Sequence, residues 1–322
     1  MDSTSLNLIN ANWAIVPERL DGIQKTLANN AMSNVPLNQE ATTSYRIEKG
    51  VAIIPITGVL TKRPTLLQAF FGGTSMEAVG NQLRAAVSNP LVSSIVLDVD
   101  SPGGTVDGTG DLADIVAEIR KSHPVVAFVD GIIASAAYWI GSQADWVICP
   151  NTGEVGSIGV VQSHHDYSGA DEKAGVKRSF IYAGKYKTAG SNAAPLSRDD
   201  AAYLQAGVDY IYSMFVDAVS KNRNLSVAQI IATQGKIFIG EQAKDTGLVD
   251  QIGNIDQAIN KARTLVKDKA QGITITRAAT GPQSFVKAYT AIQKKDKCTL
   301  EAAMRKAVIE YPALHESYIG RR

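Results

Sequence analysis

A chain of 322 residues is long enough for one large domain or two ordinary ones, with ample material for an apolar core. Hydrophobic residues at 45% and charged residues at 20% exclude a disordered chain, and 32 basic against 31 acidic residues argue against a dedicated nucleic-acid binder. Two cysteines, Cys149 and Cys298, are too few for a disulfide framework.

Residues 1–48 read as an N-terminal arm in which Pro17 opens a helix carrying Leu20, Ile23 and Leu27 on one face. The run Val51-Ala52-Ile53-Ile54-Pro55-Ile56 predicts a strand that opens the main body, and Met76 to Val87 a helix with Val79, Leu83 and Val87 inward. The strand Ser94 to Val99 leads into Asp100-Ser101-Pro102-Gly103-Gly104. A helix over Gly110 to Arg120 and a strand over Val125 to Val129 follow. Ala134 to Gly141 reads as a small-residue helix, with strands expected at Trp146–Cys149, Ile158–Val161 and Ser179–Tyr182. Ser197 opens a long helix running to about Lys221. This alternation implies an α/β fold with largely parallel pairing. A Lys-rich tail with a helix over Leu300 to Glu310 closes the chain, so the expected division is an arm at 1–48, a main domain at 49–265 and a helical tail at 266–322. Apolar residues Leu66, Leu67, Phe70 and Phe71 mark a loop suited to a subunit contact or a substrate wall.

No apolar run approaches the roughly 20 residues of a spanning helix, and Met1-Asp2-Ser3-Thr4 is not the start of a secretory signal. The expectation is a soluble, cytoplasmic protein with no membrane partner. None of His123, His164, His165 and His315 falls in an HExxH or HxH pattern, so no metal or other cofactor is expected. Chemistry concentrates instead in three segments. Ser101-Pro102-Gly103-Gly104 follows a strand and offers backbone N–H groups free of side chains, as half of an oxyanion hole requires. Ser135, among small residues at a strand-to-helix turn, suits a nucleophile, with the N–H of Ala136 facing the same oxyanion. Tyr182-Ala183-Gly184-Lys185-Tyr186-Lys187-Thr188 carries two lysines, either of which serves as a base if its amine is neutral. Two residues apart on a strand, both share one face, and the pattern does not choose between them.

Together these segments resemble the signal peptide peptidase A / protease IV family of serine peptidases, related in fold to Clp proteases and crotonases. The resemblance runs from about Val51 to Leu265. It is carried by Ile95 to Gly104, Ala134-Ser135-Ala136-Ala137-Tyr138, Gly156-Ser157-Ile158-Gly159-Val160, the Lys187 segment, Phe238 to Ala243, and Gly247-Leu248-Val249-Asp250. It implies a Clp/crotonase-like core of repeated ββα units and a Ser–Lys dyad. Ser135 would be the nucleophile, Lys187 the general base, Ser157 the hydroxyl that orients the lysine, and Gly104 and Ala136 the oxyanion donors. Trp13-Ala14-Ile15-Val16-Pro17, Ala136 to Trp139 and Ala183 to Gly190 further resemble the phage capsid-protein-C-like branch of head maturation proteases. That branch implies scaffold, portal or capsid proteins as substrates, often with the protease itself among them, and a homo-oligomeric ring with shared active sites, in the host cytoplasm or inside the prohead. Three readings compete: a cellular-type peptide-degrading peptidase, a crotonase-like acyl-CoA enzyme, and a capsid assembly factor with a vestigial dyad. The absence of a basic CoA-phosphate cluster weakens the second, and the intact Ser135, Ser157 and Lys187 weaken the third.

Overall fold

The computed structural model describes residues 11–28, 45–64 and 72–271, with isolated positions between 293 and 306. The loop bearing Leu66, Leu67, Phe70 and Phe71 lies outside the described residues, and so does most of the expected tail helix over 300–310.

Two sheets carry the fold. β3 (Val51–Thr57), β6 (Ser94–Ser101) and β8 (Val125–Ala134) lie side by side and parallel. β8 then diverges. Its first half pairs with β9 (Trp146–Cys149) and its last residues with β10 (Glu154–Gly156), again in parallel. Antiparallel strands cap the two edges, β2 (Arg46–Glu48) beside β3 and β11 (Ile237–Ile239) beside β10, while β12 (Gln251–Ile252) adds to β9. The smaller sheet has the order β1 (Trp13–Ile15), β7 (Gly103–Thr105), β4 (Val59–Thr61), β5 (Gly73–Ser75).

Twice a long strand crosses from one sheet to the other and ends in a helix. β3 passes through Gly58 into β4, with α2 (Met76–Ser88) beyond β5, and β6 passes through Pro102 into β7 and α3 (Thr109–Ile119). This is the expected ββα repeat in an α/β, mostly parallel architecture. The α1 helix (Pro17–Ala28) buries Leu20 and Ile23 as its spacing predicts.

The strands read as unbroken apolar runs because both sheet faces are covered. Ala52, Ile54 and Ile56 of β3 point into the main core, while Val51 and Ile53 meet Ala258, Ile259, Ala262 and Leu265 of α9 (Ile255–Ala270) on the other face. The described part of the arm packs on this body. Trp13, Ile15, Leu20 and Ile23 close a third apolar cluster against Val59, and α9 runs through residue 265.

Two expected strands are absent. Ile158–Val161 forms one isolated bridge, Trp13 with Val161, and the strand in this region is β10 instead. Ser179–Tyr182 has no strand pairing, and Phe180, Ile181 and Tyr182 are exposed. A β-rich run becomes a strand only beside a partner edge, and neither segment has one beyond that single bridge. The long helix α6 (Arg198–Arg223) starts where expected, with Ser197 Oγ accepting from the Asp200 N–H at 3.1 Å.

Candidate active site

Ser135 stands between β8 and α4 (Ala136–Gly141), a helix whose residues are all buried. Two features steer the strand to it. Gly131 takes φ +117, and the register with β6 shifts between Val99 and Ser101, so β8 bends toward β10. Ser135 itself adopts φ 54, ψ −120, a conformation that a serine occupies only under constraint from its surroundings. Its N–H bonds the Gly156 carbonyl at 2.8 Å, and its carbonyl accepts from the Trp139 N–H at 2.9 Å. The short helix is in turn locked from behind. Trp139 stacks on Phe215 of α6 at 4.7 Å, and the Tyr138 hydroxyl donates to the Leu248 carbonyl at 2.9 Å.

Arg223 completes that lock, donating to Asp250 at 2.7 Å. Burial works against its charge, but Tyr138 and Asp250 outweigh burial and hold the guanidinium above its ordinary value.

The other expected residues gather unevenly. Ser157 adjoins Gly156, the backbone partner of Ser135, and is buried with φ 51. Ala136 follows Ser135 as the first residue of α4. Gly104 lies in β7, between Ala14 of β1 and Leu60 of β4. Its neighbour Gly103 lies close to Ser135: a methyl group there would stand 3.0 Å from Ser135 Cβ and 2.2 Å from the Ala14 carbonyl oxygen. The two glycines of this turn were legible, but which one touches Ser135 was not.

Lys187 makes no hydrogen bond to this group. The Ser135 hydroxyl makes its one side-chain hydrogen bond to the Gly159 carbonyl, at a long 3.4 Å. Lys187 is exposed and lines a cavity of about 390 Å³ with Ser163, His164, Phe180 and Leu204. Its neighbours tie the segment to the start of α6. Lys185 donates to Asp199 at 2.7 Å, and Tyr186 stacks on Tyr203 at 4.4 Å. The hydrogen bond with Asp199, and after it Tyr186, hold the Lys185 amine above its ordinary value, which disfavours the neutral form that a base needs.

The Cys149 thiol is buried and pushed up to about 11 by that burial, so it is no candidate nucleophile. Among the described residues no group of His, Cys, Asp and Glu is placed to hold a metal ion, and no helix is long and apolar enough to cross a membrane.

The profile of peptidase family S49 matches residues 117–269. The putative protease slr0021 of Synechocystis sp. is 32% identical over 218 residues, covering 67% of this chain and 74% of the relative. The chain belongs to peptidase family S49. Two phage proteins are also similar. Capsid assembly protease C of Escherichia phage lambda is 34% identical over 270 residues, 84% of this chain and 62% of that protein. Head-tail preconnector protein GP5 of Enterobacteria phage P21 is 32% identical over 240 residues, 73% of this chain and 48% of its own length. This S49 chain therefore spans between about half and three-fifths of those two phage relatives.

Proposed function

We propose that this S49 chain is a serine endopeptidase of phage head maturation, with Ser135 as nucleophile and Lys187 as general base. The observation that carries the reading is the backbone of Ser135: a strained turn from strand to buried helix, set against Gly103. Strain of this kind persists where the surroundings over-determine a reactive residue. Ser135 Oγ attacks the scissile carbonyl, the neutral Lys187 amine takes its proton and passes it to the leaving amine, and water hydrolyses the resulting ester. The Gly104 and Ala136 N–H groups receive the oxyanion, and Ser157 orients the lysine.

Lys187 and Ser135 are not hydrogen-bonded within one chain. The proposed dyad therefore forms between copies: Lys187 of one copy meets Ser135 of its neighbour in a homo-oligomeric ring. Phe180, Ile181, Tyr182 and Tyr186, all exposed beside Lys187, supply apolar surface for that contact. The similarity to the phage lambda and P21 proteins supports scaffold, portal or capsid proteins as substrates, and the host cytoplasm or the prohead interior as the place of action.

The test measures cleavage of a head scaffold or portal protein, and of an unstructured protein such as casein. Ser135→Ala and Lys187→Ala should each abolish cutting, by about 10⁴-fold or more, while keeping the native circular dichroism spectrum. Mixing the two inactive variants should restore activity, since some neighbours then pair an intact serine with an intact lysine. Full activity of Lys187→Ala would remove the lysine from the mechanism, and silence of the mixture would place the dyad within one chain.

A further inference from the structure

Ser135 is only 1% exposed, yet a peptidase nucleophile has to meet a peptide. The chain's own N-terminal segment is among the neighbours of Ser135. β1 runs antiparallel to β7, with Ala14 opposite Gly104 and Trp13 opposite Thr105. On its other edge Trp13 exchanges two backbone hydrogen bonds with Val161, each 2.9 Å. The segment is thus held on both edges as an added strand, the way a groove takes an extended peptide.

The register places one bond over the nucleophile. The Val106 N–H donates to the Asn12 carbonyl at 3.1 Å, and the Val16 N–H donates to the Pro102 carbonyl at 3.0 Å. In an antiparallel ladder hydrogen-bonded pairs alternate, so Ala14 and Gly104 between these two form another such pair. The Ala14 carbonyl therefore faces the Gly104 N–H, the oxyanion donor of the proposed mechanism. The same oxygen lies 2.2 Å from the point where a methyl on Gly103 would stand, and that point is 3.0 Å from Ser135 Cβ. The Ala14 side chain is fully buried in the main core, so the groove takes a small apolar residue at this position.

We infer that residues 12–16 occupy the substrate groove in a cleavable register, and that the Ala14–Ile15 peptide bond is a self-processing site. The inference rests on the proposed role of Ser135. In the first step Ser135 Oγ bonds to the Ala14 carbonyl carbon and the C–N bond to Ile15 breaks. The serine proton travels through the base to the new Ile15 amine. One water then hydrolyses the Ala14 ester, which frees a fragment ending in the Ala14 carboxylate and regenerates Ser135. The remaining chain begins at Ile15 and stays anchored by Ile15, Leu20 and Ile23. Residues 12–14 leave, and the side of the groove they covered opens to other extended peptides with a small residue at the cut.

Intact mass and N-terminal sequencing of the purified full chain, followed over time, test this directly. The wild type should lose residues 1–14 and show Ile15 as its new N-terminus, while Ser135→Ala remains whole. Ala14→Glu, which brings a charge into an apolar site, should block the cut and, with the groove left uncleared, slow the degradation of casein in the same tube. In the wild type, Ser135-dependent degradation of casein with the Ala14–Ile15 bond left intact would overturn the inference and leave the peptidase reading standing. A cut at Ala14–Ile15 that persists in Ser135→Ala would also overturn it. Failure of both cuts would remove the peptidase reading and the inference together.

Discussion

Ser135 stands at the end of a ten-residue strand and opens a helix with no exposed residue, while Lys187 stands on an exposed run whose neighbours are tied down by one surface ion pair and one ring stack. On the first side, position is determined by core packing. Trp139 on Phe215, Tyr138 on Leu248 and Arg223 on Asp250 leave α4 one way to sit. On the second side, surface contacts of modest strength hold the segment, and Phe180, Ile181 and Tyr182 remain exposed. A nucleophile has to be held in a strained geometry from the start. On the proposed mechanism the base arrives with a neighbouring copy and is not bound by this requirement, and its place on the surface would link activity to assembly.

The sharpest way to break this contrast is to disturb the rigid side at its tightest point. Gly103→Ala puts a methyl against the Ala14 carbonyl at a residue with φ +103. The expected result is a loss of about 3 kcal/mol or more in urea unfolding, together with all Ser135-dependent cleavage. A variant with wild-type stability would show that the turn is not constrained.

Arg223→Met strips the lock behind α4 and leaves the half-buried Asp250 without its cation. Removing one partner of a buried pair costs about 3 kcal/mol. In the same urea assay Ile181→Ser, on the exposed side, should stay within about 0.5 kcal/mol of wild type. Equal losses in the two variants would erase the distinction between the sides.

The smallest effect concerns Asp217 on α6, the helix that reaches from one side to the other. Burial raises its carboxyl from 3.8 to about 6, and one of its oxygens has no hydrogen-bond partner. The unfolded chain releases this proton first as pH rises, so the residue subtracts stability progressively between about pH 4 and about pH 6, and the loss levels off above that. Asp217→Asn removes this slope. Its Tm at neutral pH should rise by about 2 °C, with a smaller gap between thermal scans at low and neutral pH. An unchanged gap would mean that Asp217 is solvated.

Much of the fold was legible in the chain because its periodicities were strong. Val51–Thr57, Met76–Ser88 and Thr109–Ile119 end within two residues of where apolar spacing and turn signals put them. The failures share one cause. Ile158–Val161 and Ser179–Tyr182 have the composition of strands but lack the partner edges that would make them so. The site divides the same way. Ser135 and the two glycines were visible as residue types at a turn, whereas the approach of Gly103 to Ser135 depends on the small sheet folding over the large one.

By itself, the sequence determined the α/β alternation, the small-residue helix after the candidate nucleophile and the pair of candidate lysines, because these follow from local spacing and residue chemistry. Only the tertiary structure decided that Lys185 is paired with Asp199, that Ser135 and Lys187 share no hydrogen bond, and that Trp13-Ala14-Ile15 pairs with Gly103-Gly104-Thr105. Those outcomes depend on which edges and surfaces meet across long separations in the chain. No local pattern encodes such meetings; they are set by the packing of the two sheets and the registers it allows.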